Sequence, residues 1–201
     1  MKNLILLSCG LLLLTGCSIT REYSMRSVER QIMSVRDWGG TPAVDSLAKH
    51  HTILYITLHH GGEPFPKEKD PIHYLRDLQQ WSRKEKHWID IPYHYIIDLD
   101  GRMYEGRNIN YAGDTNTEYD PTGHALICVV GNYEEMEPNK RQLQAIVFLM
   151  TMLTEKYGVS SDHIKGHLDY SKMTVCPGKN LYPYLASEYF KHQVDSLIAK
   201  K

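Results

Sequence analysis

A strand pattern that ends in two histidines is the feature that most constrains the fold of this chain. Residues 53–58 (ILYITL) are apolar or β-branched apart from one tyrosine, and His59, His60 and two glycines follow directly. Such a run predicts a buried strand, and the glycines predict a loop at its end. Because α/β sheets commonly carry their sites at the carboxyl ends of strands, His59 becomes a candidate functional residue.

The rest of the sequence alternates between strand and helix patterns. Asp70-Pro71 predicts a helix start, and Gly158 predicts the end of a long amphipathic helix. We therefore predict an α/β single domain over residues 31–201, with a central mixed β-sheet flanked by helices. The further predicted strands span 93–99, 103–105 and 125–130, and the further predicted helices span 138–157 and about 182–198.

The N-terminus resembles a bacterial lipoprotein signal. Residues 4–14 form an apolar run that is shorter than the roughly 20 residues of a transmembrane helix. The run leads into Leu-Thr-Gly-Cys at 14–17, which resembles a lipobox. We predict that 1–16 is a signal peptide, that Cys17 carries the lipid and that 17–30 is a lipidated tether. An ordinary signal peptide with an incidental cysteine is the alternative.

These segments predict a location in the cell envelope, lipid-anchored at the periplasmic face or the outer membrane.

The formal net charge is −1, and charges of both signs are mixed along the chain. This balance gives no support for nucleic-acid binding, which usually needs a basic face. We expect a monomer. Of the four cysteines, only Cys128 and Cys176 belong to the predicted domain.

Three residues are candidate metal ligands. Zinc prefers histidine nitrogen and cysteine sulfur, and catalytic zinc sites use three protein ligands. His59 ends the first strand, and a loop bounded by glycine and proline carries His167 and Cys176. The spacing of this pair matches no standard structural zinc pattern, so a chance arrangement stays open on spacing alone.

Six segments, in order, resemble a family of zinc amidases. This family includes the N-acetylmuramoyl-L-alanine amidases, the amidase-type phage lysozymes and the animal peptidoglycan recognition proteins. The resemblance covers residues 34 to about 185, and the ordered set is more specific than any one motif. The segments are 36–40 (RDWGG), 56–60 (ITLHH), 88–107, 130–133 (VGNY), 166–169 (GHLD) and 174–178 (TVCPG).

The resemblance implies roles for individual residues. It implies that His59, His167 and Cys176 bind Zn²⁺ and that Tyr93 is catalytic. Thr174 stands where catalytic recognition proteins have a threonine. The implied activity is hydrolysis of the amide between N-acetylmuramic acid and L-alanine, in peptidoglycan or muropeptides. A non-catalytic peptidoglycan-binding module is the alternative, and no carboxylate is marked as the general base.

Four further residues are predicted to contact substrate. Trp38, His60 and His94 lie within or beside the shared motifs, and Tyr111 stands where the family often has a histidine. For the first three, a role in packing or in support of the site is the alternative. Cys128 lies among aliphatic strand residues, where a free cysteine behaves as a small hydrophobe.

Overall fold

The computed structural model describes residues 24–200. The predicted signal peptide and Cys17 lie outside the described residues. Within that range there are five α-helices and six strands, and none of these helices is long and apolar enough to cross a membrane. The elements are α1 (Met25–Glu29), β1 (Ile32–Met33), β2 (Tyr55–His60), α2 (Pro71–Lys84), β3 (Tyr95–Ile97), β4 (Met103–Glu105), β5 (His124–Val129), α3 (Lys140–Tyr157), β6 (Ile164–Gly166), α4 (Pro183–Ala186) and α5 (Tyr189–Ala199).

The strands form one mixed sheet in the order β1-β4-β3-β5-β2-β6. The β3–β4 pair is antiparallel and the other pairs are parallel. The chain is thus the predicted α/β domain with a mixed central sheet and flanking helices. In β5, at the centre, all six residues are buried, which explains the near-continuous apolar sequence of this strand.

Helices cover both faces of the sheet. Side chains of α3 and α5 pack on one face, together with Ile56 and Leu58 of β2. Helix α2 packs on the other face, where Leu75 belongs to the same apolar cluster as Cys128 and Val130. Because strand side chains alternate between faces, the ring of His59 points to the α2 face.

Local sequence signals fix most of the helix ends. Asp70 caps α2, with its carboxylate accepting the Ile72 N–H, and Gly158 ends α3 at φ 66°, as predicted. The predicted helix at 182–198 is wrong as one element, because Glu188 adopts a left-handed conformation (φ 58°) and separates α4 from α5. That break turns the chain between the two helices.

The folded domain begins earlier than the predicted boundary at residue 31. Helix α1 packs against α3, and the Val28 side chain is only 1% exposed in the core. Lys156 Nζ lies 2.7 Å from Glu29 Oε1 across the same contact. Residues 25–29 are therefore part of the domain rather than of a tether.

Candidate metal centre and active site

His59 lies at the carboxyl end of β2, one residue before the strand ends. Its side chain is 2% exposed, so the imidazole is enclosed by protein. The ring Nδ1 lies 3.7 Å from the Cys176 Sγ. A strand in the middle of the sheet is a rigid support for a ligand because both of its edges are hydrogen bonded to neighbours.

His167 and Cys176 come from the segment that follows β6. Because β6 pairs with β2, the turn at His167–Asp169 starts directly beside His59, and the two imidazole centroids are 4.6 Å apart. The Leu168 N–H donates to the Cys176 carbonyl at 2.8 Å, which closes the loop between the two donors. The structure thus brings the three predicted ligands together, with His59 from β2 and with His167 and Cys176 from the segment after β6.

The three residues fit a zinc ion by their chemistry and spacing. One donor atom from each of His59, His167 and Cys176 lies within 4.8 Å of the others, and all three residues are buried. In a tetrahedral zinc site the sulfur and nitrogen ligands are about 3.5 Å apart, given usual bond lengths. The observed His59–Cys176 separation is close to that value. Two histidines and one cysteine also leave one position open, as in catalytic sites.

Burial keeps all three donors neutral when no metal is bound. Burial lowers the pKa of His59 well below its ordinary value, and the neighbouring His167 adds to the shift. Burial also lowers the pKa of His167 to about 4 and raises the pKa of Cys176 to about 12. Neutral imidazoles are ready to bind a metal, whereas the thiol must release its proton.

The backbone of His60 supports the cysteine. Its N–H donates to the Cys176 Sγ at 3.3 Å, which lowers the pKa of this thiol against the effect of burial. The His60 imidazole faces away from His59, and its Nδ1 accepts the Tyr133 N–H at 3.2 Å. His60 therefore acts on the donor cluster through its main chain.

Tyr93 lies immediately before β3, beside His59. The phenol and imidazole centroids are 5.3 Å apart. Burial raises the pKa of Tyr93 well above its ordinary value, and the nearby thiols of Cys128 and Cys176 raise it further. The phenol therefore keeps its proton and is available as a hydrogen-bond donor beside the three candidate metal ligands.

Thr174 lies two residues before Cys176. Its half-buried Oγ1 accepts the Cys176 N–H at 3.1 Å, which leaves its own hydroxyl proton to be donated elsewhere. Met173 and Val175 on either side are 69% and 60% exposed. The threonine is thus held at the rim of the cluster by a bond that also orders the loop.

Residues 49–179 match the sequence model of the Amidase_2 family, described as N-acetylmuramoyl-L-alanine amidase. This range includes all three donors, Tyr93 and Thr174. The chain belongs to this family.

The amidase-family chain is also similar to individual proteins. It is 29% identical over 185 residues to peptidoglycan recognition protein 1 of Mus musculus, covering 90% of this chain and 96% of the mouse protein. A mutant of Drosophila PGRP-LB in complex with tracheal cytotoxin superposes with a TM-score of 0.68 at 25% identity, over 78% of this chain and 94% of the other. The amidase LysC of Clostridium intestinale (TM-score 0.65, 24% identity, 82% and 97% covered) agrees in fold.

Two residues predicted to contact substrate lie inside this amidase-family domain. Trp38 is 1% exposed, and its Nε1 donates to the Glu105 carbonyl at 2.7 Å. His94 has no exposed surface, and both of its ring nitrogens bond to the backbone, at Tyr111 and Leu126. Both side chains lie in the core beneath the site, in agreement with the packing role named as the alternative, and their contact with substrate stays a prediction.

Tyr111 serves the same internal network. Its carbonyl accepts the His94 bond, and its ring packs edge-on against His50 at 5.1 Å. It lines a cavity of about 220 Å³ together with Asp90 and Glu105. The predicted contact between Tyr111 and substrate stays a prediction.

The sequence did not reveal the polar loop at 114–122 as a partner of the metal ligands. Thr117 Oγ1 lies 2.8 Å from the outer nitrogen of His167, and the Tyr119 hydroxyl lies 3.5 Å from that of His59. Threonine and tyrosine are too common in loops for a single sequence to mark these two.

Proposed function

We propose that the protein is a zinc-dependent amidase that hydrolyses the bond between N-acetylmuramic acid and L-alanine in peptidoglycan. The observation that carries the proposal is the buried His59–His167–Cys176 cluster, with the Tyr93 phenol packed beside it. The family match supports the same activity. The complex of Drosophila PGRP-LB with tracheal cytotoxin supports a peptidoglycan fragment as ligand.

The side chains around the cluster suit amide hydrolysis. Zinc held by the three donors would supply Lewis-acid polarisation of the amide carbonyl and acidify a water molecule. Hydrolysis passes through a tetrahedral carbon whose oxygen becomes negative. The Tyr93 phenol, which keeps its proton, and the Thr174 hydroxyl would donate hydrogen bonds to such an oxygen, and each donor of this kind supplies a few kcal/mol.

A binding module without turnover is the second candidate, because similar proteins are named recognition proteins. The intact donor cluster favours the enzyme. Burying a thiol and two imidazoles in one place disfavours their charged forms and offers little to a protein that only binds sugar and peptide. A bound metal would compensate for the cost of burying these polar groups, and an enzyme would use that metal in catalysis.

Mass spectrometry of digested cell-wall sacculi tests the activity. Purified protein loaded with zinc should release stem peptides that begin with a free L-alanine amine, and the glycan strands should gain free lactyl carboxylates. A parallel digestion by the Cys176→Ala variant controls for contaminating hydrolases. Binding to sacculi without release of stem peptides would establish the binding module instead.

We further propose that the amidase acts at the envelope, held to a membrane by a lipid on Cys17 after removal of residues 1–16. The support is the apolar run that leads into Leu-Thr-Gly-Cys. Metabolic labelling with a radioactive fatty acid should mark the full chain in the membrane fraction, and Cys17→Ala should abolish the label. A full chain that carries no fatty acid would contradict the anchor.

A further inference from the structure

One loop contacts the outer nitrogens of both histidine ligands. The Thr117 Oγ1 lies 2.8 Å from the His167 Nε2, and the Tyr119 hydroxyl lies 3.5 Å from the His59 Nε2. The His59 Nδ1 faces Cys176 on the opposite side of its ring. In His59 the nitrogen that contacts the loop is therefore not the one that faces the sulfur, and in His167 the Thr117 contact occupies Nε2 and leaves Nδ1 for a metal.

The loop is itself fastened to the segment that carries His167 and Cys176. Glu118, between the two contact residues, accepts the Ser171 hydroxyl at 2.6 Å and the Lys172 N–H at 3.0 Å. The Tyr119 ring stacks on Tyr170, with centroids 5.8 Å apart. These contacts hold 117–119 in place without relying on the metal ligands.

Thr117 is also oriented from its own loop. The Thr115 hydroxyl accepts the Thr117 N–H at 3.2 Å and lies 2.9 Å from the Thr117 Oγ1. This oxygen is therefore fixed in position between Thr115 and His167. An imidazole that binds a metal through Nδ1 carries its proton on Nε2, and the fixed Thr117 Oγ1 lies where it can accept that proton.

We propose that Thr117 and Tyr119 are positioning residues for the metal centre: they fix the tautomer and the ring orientation of His167 and His59, so that both present Nδ1 to one ion. The proposal rests on the proposed zinc site, and it adds the residues that prepare this site. Thr117 has the larger effect, because its contact is the shorter of the two. Partners of this kind usually change metal affinity by about 10- to 100-fold.

The test measures the zinc dissociation constant by competition with a chromophoric chelator, on the full folded chain. Thr117→Val keeps the branched shape and removes the hydroxyl, whereas Thr117→Ser keeps the hydroxyl. Tyr119→Phe keeps the ring packing. Asn116→Ala, at an exposed position on the same loop, is the matched control. Cobalt absorption spectra of each variant report the ligand field of the site independently of any activity.

Thr117→Val should weaken zinc binding about 10- to 100-fold and shift the cobalt bands, while Thr117→Ser should bind within about threefold of the unchanged protein. Tyr119→Phe should show a smaller loss, and Asn116→Ala should show none. Equal affinities for Thr117→Val and the unchanged protein would overturn the proposal. Equal losses in Thr117→Val and Thr117→Ser, with lowered melting of the metal-free chains, would also overturn it and indicate a purely structural loop.

These results are independent of the proposed activity. If the unchanged protein binds zinc but releases no stem peptides, the amidase proposal fails while the affinities still decide the role of Thr117. If the unchanged protein binds no zinc, the positioning proposal fails at its first measurement.

Discussion

The Nδ1 of His59 and the Sγ of Cys176 lie 3.7 Å apart, although 117 residues separate them in the sequence. Parallel pairing of β6 with β2 brings the start of the loop at residues 167–176 to His59, and the Leu168 N–H bond to the Cys176 carbonyl brings the end of this loop back to the same place. The N–H of His60 then bonds to the sulfur. The centre is therefore a product of the sheet register and of one closed loop.

Replacement of Cys176 by alanine should remove zinc and activity together. The variant leaves two histidines, which do not hold the ion at equal affinity, so turnover should fall at least about 100-fold with the loss of several kcal/mol of carbonyl polarisation. Zinc stoichiometry by atomic absorption and release of stem peptides are the two measurements. Cys128→Ala is the matched control, since Cys128 is a second buried free thiol on the neighbouring strand.

Cys128→Ala should keep one zinc per chain. It should also keep its affinity, while losing some stability through the small cavity that it leaves. A Cys176→Ala protein with full zinc content would rule out the cysteine as a ligand. Loss of zinc in both variants would show that the effect is a general disruption of this region.

Tyr93→Phe should separate catalysis from metal binding. The substitution removes only the hydroxyl, so the ring contact with His59 and the zinc content should remain. If the phenol donates to the developing negative oxygen, kcat should fall by about 10²- to 10³-fold with little change in KM. Tyr95→Phe, on the opposite face of β3, is the control and should retain activity. A Tyr93→Phe enzyme with unchanged kcat would remove Tyr93 from the reaction.

The sequence predicts the donors better than it predicts what surrounds them. His59 is marked by the strand that it ends, and His167 and Cys176 by their motif, because both depend on local pattern. The positions of Trp38 and His94 depend on how loops pack around β4 and β5, and such contacts leave no periodic signal in one sequence. The bond between Thr117 and His167 likewise spans 50 residues and two loops.

The bounds of the helices and strands show the same difference between features set by local sequence and features set by long-range contacts. The start of α2 is readable because Asp70 and the proline after it form a local cap. The short edge strands β1 and β6 cannot be predicted from the sequence, because two or three residues are too few to show an alternating pattern. These strands are defined only by their pairing with β4 and β2. The break at Glu188 requires a left-handed conformation that a non-glycine residue rarely adopts.

Removal of zinc should lower thermal stability as well as activity. A ligand that binds only the folded chain stabilises it by about 2.7 kcal/mol when its free concentration is 100 times its Kd. For a domain of this size, such a change moves the Tm by roughly 5–10 °C. Differential scanning fluorimetry with and without EDTA measures the shift, and added zinc should reverse it. The Cys176→Ala variant should show little response to either reagent, and an equal response in that variant would place the stabilising ion elsewhere.

His94 should make the domain sensitive to mild acid. Burial lowers the pKa of this imidazole to about 3, while the carbonyl of Tyr111 opposes the shift as a hydrogen-bond acceptor. Because its Nδ1 already accepts the Leu126 N–H, a second proton would set two donors against each other. The folded pKa lies below the unfolded value of about 6.5, so the stabilising contribution is complete above that pH and is lost as the pH falls from about 6.5 toward 3. Between pH 7 and 5.5 this residue alone should lower the unfolding free energy by about 1.2 kcal/mol.

Urea titrations at both pH values, with EDTA present so that zinc release does not contribute, measure the loss in the unchanged protein and in His94→Asn. The variant should be less stable at pH 7, but its decline on acidification should be smaller by about the same 1.2 kcal/mol. Equal declines in the two proteins would show that the folded chain accepts a proton at His94 and that the enclosed hydrogen-bond network does not control this pH range.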